Sequence, residues 1–406
     1  MFAKLFYFVK RPFHFFKTGL LQALPAEIKY HFPAKKLKIL CITGTDGKTT
    51  SSTLLYEVLK AAGKKVALLS TVAAYIGNEA IDTGFHVTTP DPQQLQAFMA
   101  RLVKEKYEYF ILESTSHGIY QYRLWGIRPL LLGITNITME HLDYHVTYDL
   151  YVQAKALLAK KAKIAVINAD DEMSFGKLKR ILSSSPAKVV TYSHQDTVPA
   201  SVLKTIKETF KAEYNQMNAR LVYVLSKQLD IEDRDYNSGL KAFKGVAGRL
   251  QMLEKKNGVR VVIDFAHTPN ALEEVLNYLR EKKEGGKLIA VFGCAGLRDR
   301  KKRPAMGRIG AELADVSIFT SEDPRTEDPW LIIRQMKQNL HTYYGKVLSI
   351  VDREEAIKFA ITHVAKSGDI VGIFGKGHET SMCYGTTEKP WSDEKVARSA
   401  LQMRKS

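Results

Sequence analysis

The feature that most restricts the fold of this chain is a rhythm in which short apolar runs of strand length alternate with amphipathic helical patterns. From Leu37 onward the runs KILCI, VALL, YFILE, LLLGITN, IAVIN and VVTY are interleaved with helical stretches, including one from Thr49 and one near Pro92. That is the signature of βαβ units, and it predicts an α/β fold with a mostly parallel sheet wrapped by helices. After GVAGRLQML the rhythm starts again with VVIDF, LIAVFG, VSIFTS and DIVGIFG. A second, Rossmann-like α/β domain is therefore expected. The divisions predicted are an N-terminal segment over 1–37, a central domain over 38–247 and a C-terminal domain over 248–406.

Residues 39–51, ILCITGTDGKTTS, carry an apolar strand into a glycine-rich loop and out into a helix. Leu54, Leu55, Val58, Leu59 and Ala62 mark one helix face, and Gly63 supplies a terminator. In this setting Gly44, Thr45, Asp46 and Gly47 form a phosphate loop. Its glycines let backbone N–H groups approach phosphate oxygens, and the helix N-terminus favours negative charge. Lys48 would neutralise the phosphates, the Thr49 hydroxyl suits Mg²⁺, and Thr50 continues the first turn. Only Thr45 and Asp46 separate the two glycines, so the loop is shorter than the general P-loop pattern. A tight turn with a chance GKT is the bland alternative, and the flanking strand and helix argue for ATP or GTP binding.

Composition excludes several classes. The three cysteines, Cys41, Cys294 and Cys383, are scattered and form no CxxC pair, which removes a disulfide framework and a structural zinc site and points to a reducing cytoplasm. No apolar run reaches the roughly 18 residues of a membrane span. The formal charge of +17 favours anionic partners. No interleaved aromatic and basic motif supports nucleic acid among them. Residues 1–24 form a basic amphipathic stretch with Phe2, Leu5, Phe6, Val9, Phe13, Phe16 and Leu20 at helical spacing, interrupted by Pro12. Two readings stand: peripheral attachment to a membrane surface or partner, and, preferred, packing of the Phe face on the body of the protein.

The short loop TGTDGKTT resembles that of the Mur ligase family, and the resemblance continues in order over most of residues 38–395. Its pieces are HVTTPDP (86–92), ESTSHGIYQYR (113–123), TNITMEHLDYH (135–145), YVQAKALL around Lys155, YNQMN (214–218) and GVAGR (245–249). They continue with DFAHTPNALE (264–273), FGCAGLRDRKKRP (292–304), TSEDPRTEDP (320–329) and GKGHE (375–379). The likeness is closest to the MurE type, which adds the third amino acid to a UDP-N-acetylmuramoyl dipeptide. It implies ATP and two Mg²⁺ ions, with Thr49 and Glu113 holding one and His141 and a carbamylated Lys155 the other. Lys48, Glu113, His141 and Lys155 are the expected catalytic set. Asn218, Arg249 and Asp264 match nucleotide contacts. Thr88, Thr89, Ser116 and Arg123 match contacts to the muramoyl dipeptide. Arg298, Asp323, Arg325, Gly375 and Glu379 correspond to the pocket for the incoming amino acid, meso-diaminopimelate or L-lysine. A monomer acting in the cytoplasm, with the inner membrane surface within reach, is expected.

Three departures bear on substrate. Relatives of this type usually begin with a uridine-nucleotide-binding domain, and the expectation here is that most of it is missing. The stretch between Tyr192 and Tyr214 is short, and the acceptor loop reads Glu322, Asp323, Pro324, Arg325 where diaminopimelate enzymes usually have Asp-Asn-Pro-Arg. An amide ligase acting on a lipid-linked or other peptide or polyglutamate substrate is one alternative. A non-catalytic nucleotide-binding partner of wall enzymes is the other.

Overall fold

The computed structural model describes residues 2–77, 79–81, 88–253, 257–340 and 346–404, with the side chains of 2–5 and 80–81 left aside. The first two residues of the HVTTPDP motif, His86 and Val87, lie outside this set, as do the Phe2 and Leu5 side chains. The chain forms two compact units, residues 1–244 and 245–406.

The first unit is built on eight strands: β1 (Lys38–Thr43), β2 (Val66–Leu69), β3 (Ala74–Ile76), β4 (Glu79–Ile81), β5 (Tyr109–Glu113), β6 (Leu131–Ile134), β7 (Ile164–Asn168) and β8 (Lys188–Tyr192). Their order is β4-β3-β2-β5-β1-β6-β7-β8, parallel from β2 to β8, with β3 and β4 antiparallel at one edge. The expected parallel sheet is present. Side chains of β1 alternate between two cores, which is why its sequence is apolar throughout. Ile39 and Cys41 pack with Leu95, Met99 and Leu102 on one face. Leu40 and Ile42 pack with Leu54, Leu55, Val58 and Leu59 of the helix Lys48–Ala61 on the other. Register then fixes the chemistry: Ile42 pairs with Glu113, so the loop after β1 and the carboxylate that ends β5 share the carboxyl edge of the sheet.

The second unit has β9 (Gln251–Met252), β10 (Arg260–Asp264), β11 (Leu288–Phe292), β12 (Val316–Phe319), β13 (Lys346–Ser349) and β14 (Ile370–Phe374), ordered β13-β12-β11-β14-β10-β9. All neighbours are parallel except β9 with β10. A hairpin, Ser381–Tyr384 with Thr387–Pro390, follows. Under the sheet's edge Arg353, fully buried, donates from Nε and Nη2 to the two oxygens of Asp393 at 2.8 Å each. Its remaining N–H groups reach the carbonyls of Ser321 and Phe374, and Trp391 donates its indole N–H to Asp393.

The N-terminal segment corrects the preferred expectation. Pro12 does not end the helix: Phe2–His14 is helical, followed by a wider π turn over Phe15–Ala23 and a helix Leu24–Lys29. It is Tyr7, Thr18, Ala23 and Glu27 that are buried, whereas Phe6, Val9, Phe13 and Phe16 stay 58–62% exposed. The Phe stripe faces away from the body, and the opposite face packs. The helix that carries Lys155 begins at Tyr148, because Thr147 caps it by accepting from Leu150 N–H. Among the described residues no helix is long and apolar enough to cross a membrane.

Replacing Asp393 by Ala should strand the buried Arg353 charge and cost about 3–5 kcal/mol in the second unit. Chemical denaturation of the full chain, followed by Trp391 fluorescence, checks it; a loss below ~1 kcal/mol would show the pair to be dispensable.

Candidate functional site

The phosphate loop is held open by its own backbone and by the loop after β6. Gly44 and Gly47 adopt φ of 149° and 79°. A side chain at Gly44 would collide with Thr135, and one at Gly47 with the amide of Asn218, so only glycine fits both places. Asp46 N–H donates to Asn136 Oδ1 at 3.0 Å, Thr45 N–H to the Asn136 carbonyl at 2.7 Å, and the Thr135 hydroxyl to the Asp46 carbonyl at 2.6 Å. Lys48 opens the helix Lys48–Ala61 and folds back to donate to the Thr45 carbonyl at 2.7 Å. Thr49 and Thr50 sit buried in that first turn. The loop thus brings Lys48 and a helix N-terminus to one place, which is what a polyphosphate needs.

Glu113, 1% exposed, closes the other side. It accepts from the Thr49 hydroxyl at 3.2 Å, and from the Thr71 hydroxyl and backbone N–H at 2.8 and 3.0 Å. Lys155, also 1% exposed, points in from the helix Tyr148–Ala159 and donates to the Gly44 carbonyl at 2.6 Å. Burial, reinforced by the Lys48 charge, holds its pKa well below the ordinary lysine value. The amine is therefore driven toward its neutral, nucleophilic form. His141 stands half-exposed in a left-handed backbone conformation, its ring 4.7 Å from that of His117 and 6.1 Å from that of Tyr151. The Tyr151 hydroxyl lies 3.2 Å from that of Thr45, which links His141 to the loop.

A metal ion suits this chemistry on the Glu113 side, where a buried carboxylate and the Thr49 hydroxyl meet beside the phosphate cradle. Among the described residues no group of three His, Cys, Asp or Glu side chains is assembled for a metal. Beside His141 stands the buried carboxylate of Glu140, 3.9 Å from its Nδ1.

The Thr71 hydroxyl is also 3.0 Å from that of Thr88, which carries the site onward. Thr89 lies 3.0 Å from the Thr115 hydroxyl and accepts from its N–H, while Arg123 donates to the Thr89 carbonyl at 2.9 Å. Thr115 caps the short helix Ser116–Tyr120, and Ser116 meets His145 Nε2 at 3.0 Å. Burial pushes the His145 pKa down to about 2, so the ring is neutral. Its Nδ1 lies 3.2 Å from the Tyr7 hydroxyl. Thr88, Thr89, Ser116 and Arg123 are thus contiguous, and Thr71 and Glu113 join them to the phosphate loop.

In the second unit Asp264 organises a turn: its two oxygens accept from Leu250 and Ala266 N–H at 2.5 and 2.7 Å. Arg249 lies over the Phe265 ring, 4.3 Å from its centroid. The other candidates gather around Lys376, which is buried and donates to Asp323 at 2.8 Å and to Glu379 at 2.5 Å. Arg325 sits 3.7 Å from the other Asp323 oxygen and donates to the Gly296 carbonyl at 2.8 Å, tying in the loop on which Arg298 stands exposed. Gly375 closes over Glu322, whose carboxyl burial raises to about 7. Asn218 belongs to the first unit, against Gly47, and Arg249 and Asp264 belong to the second.

Sequence reasoning did not single out Thr71, Asn136, Tyr7, His145 or Lys376. Lys376 lay inside a quoted motif, between Gly375 and Glu379. Thr71 follows an ordinary buried strand, and nothing in the residue order marks it.

The sequence matches the Mur ligase middle domain over residues 42–232 and the Mur ligase glutamate ligase domain over 248–377. Among similar proteins is the UDP-N-acetylmuramoyl-L-alanyl-D-glutamate--2,6-diaminopimelate ligase of Clostridium botulinum, 37% identical, covering 88% of this chain and 76% of its own. The protein of the same name from Bacillus velezensis is 37% identical over 92% of this chain and 80% of its own. A solved structure of a ligase of that name has 30% identity and a TM-score of 0.58, covering 93% of this chain and 82% of its own. The fold extends to a Yersinia pestis folylpolyglutamate synthase/dihydrofolate synthase, 19% identical with a TM-score of 0.66 over 86% of this chain and 89% of its own. On these matches, this chain belongs to the Mur ligase family.

Proposed function

We propose that this protein is an ATP-dependent amide ligase of peptidoglycan synthesis that joins meso-diaminopimelate or L-lysine to the D-glutamate carboxylate of a UDP-N-acetylmuramoyl-L-Ala-D-Glu-like acceptor. The observation that carries the reading is the Thr71 hydroxyl, which lies within hydrogen-bonding distance of both Glu113 and Thr88 and so joins the phosphate loop to the acceptor surface. ATP and a carboxylate bound there would meet end to end.

In the first step a carboxylate oxygen of the acceptor attacks the γ-phosphorus, giving an acyl phosphate and ADP. In the second the amino group of the incoming amino acid attacks the acyl carbon, forming the amide, expelling phosphate and losing a proton. Lys48 and the loop N–H groups bind and orient the phosphates, so the chain's contribution is positioning and electrostatic stabilisation. Arg123, Ser116, Thr88 and Thr89 orient the acceptor. Mg²⁺ held by Thr49 and Glu113, with a second ion held by His141 and a carbamylated Lys155, would offset the charge of phosphate meeting carboxylate. The lowered basicity of the buried Lys155 amine supports the modification, because only an unprotonated amine combines with CO₂.

Arg325 suits the carboxylate of the amino acid and Glu379 its ammonium, with Asn218, Arg249 and Asp264 serving the nucleotide. Arg325 favours diaminopimelate. The same reading has a monomer working in the cytoplasm on small molecules, without nucleic acid.

Purified protein with ATP, Mg²⁺ and UDP-N-acetylmuramoyl-L-Ala-D-Glu should release phosphate only when meso-diaminopimelate or L-lysine is added, with the tripeptide seen by mass. Replacing Lys48 by Ala should lower turnover by about 100-fold or more without changing the melting temperature. Full activity in that variant would sink the assignment. With isotope-labelled bicarbonate, a carbamate carbon resonance should appear by NMR and be lost in Lys155→Ala; a spectrum identical in the two would leave Lys155 unmodified.

A further inference from the structure

The body of the protein fixes which way the first helix faces. The Tyr7 ring stacks on Tyr120 with centroids 4.5 Å apart, its hydroxyl meets His145, and the Tyr120 hydroxyl donates to the Tyr7 carbonyl at 2.5 Å. Further along, Phe15 packs on Tyr122 and Trp125 at 5.5 and 5.7 Å. With that side pinned, Phe6, Val9, Phe13 and Phe16, spaced to fall on one helix face, are turned outward at 58–62% exposure.

Scattered apolar side chains on a surface need no explanation, but a concentration does. Of the sixteen large apolar side chains exposed among the described residues, nine lie between Phe6 and Phe32. The charge on this segment and the residues just after it, 6–37, has one sign. Lys10, Arg11, Lys17, Lys29, Lys35 and Lys36 are basic, and the one acidic residue of the first 37, Glu27, is buried. Two of the ammonium groups sit beside the stripe itself: Lys10 is 4.9 Å from the Phe6 ring centroid and Lys17 5.8 Å from that of Phe13. Aromatic side chains facing out with lysines at their margins match the boundary between acyl chains and anionic headgroups.

We infer that the segment Phe6–Phe32 docks this protein on the surface of an anionic lipid bilayer, with Phe6, Val9, Phe13 and Phe16 entering the headgroup layer and the basic side chains pairing with lipid phosphates. Charge selects this occupant over a second copy of the chain, because two such faces would bring basic groups together with no exposed acid of the segment between them. The contact lies on the reverse of the helix that carries Tyr7, and Tyr7 reaches Ser116 through His145. Docking would therefore seat the acceptor surface close to the membrane. The inference does not depend on the ligase activity.

The test is flotation of the full chain with vesicles of phosphatidylcholine alone and of phosphatidylcholine mixed with phosphatidylglycerol, at low and high salt. Binding to the mixed vesicles should exceed binding to the neutral ones by about 10-fold or more and fall with salt. The pairs Phe13→Ser with Phe16→Ser, and Lys17→Glu with Lys29→Glu, should each remove most of it while the melting temperature holds, since all four side chains are exposed. No binding to either vesicle, or equal binding to both, overturns the inference. So does a concentration-dependent dimer that Phe13→Ser with Phe16→Ser dissolves, which would assign the face to a second copy.

Discussion

A carboxylate taken out of water must be repaid in hydrogen bonds, and Glu113 is the group through which the first unit's site is held together. It accepts from Thr49 on one side and twice from Thr71 on the other, at the end of a strand whose register with β1 leaves no freedom in where it sits. The glycine-rich loop after β1 and the threonines around Thr88 are both tied to this one side chain, through Thr49 and Thr71. Because the partners are short hydroxyls and a backbone N–H, a bound metal ion can draw on the same carboxylate without any long side chain having to move.

The second unit solves the same problem with opposite charges. Lys376 is buried and is made tolerable by Asp323 and Glu379, while Arg353 is made tolerable by Asp393. Arg325, half-buried, stands beside the first cluster, 3.7 Å from Asp323. The aspartate at 323, unusual for the diaminopimelate pattern, has a local role in holding Lys376.

The strands and the phosphate loop were legible because their signals are local. A run such as KILCI followed by two glycines and a Lys-Thr pair states strand, loop and helix within fifteen residues, and the in-order motifs carried the family. Thr71 and Tyr7 were not legible, since their partners lie 42 and 138 residues away and no pattern near either announces them. The N-terminal stripe shows a different limit. Its periodicity correctly put Phe6, Val9, Phe13 and Phe16 on one face, but periodicity says only that side chains share a face, and Tyr7, outside the stripe, decided that the face turned outward.

The most direct test of the central claim, that a carboxylate is activated by ATP in this site, is to supply the muramoyl dipeptide with heavy oxygen in its D-glutamate side-chain carboxylate and follow the label through one turnover. Transfer of one labelled oxygen into the released phosphate is the result this account requires, because the acyl phosphate keeps that oxygen between carbon and phosphorus until the amine displaces it. Phosphate free of label, formed together with ADP and amide, would contradict it.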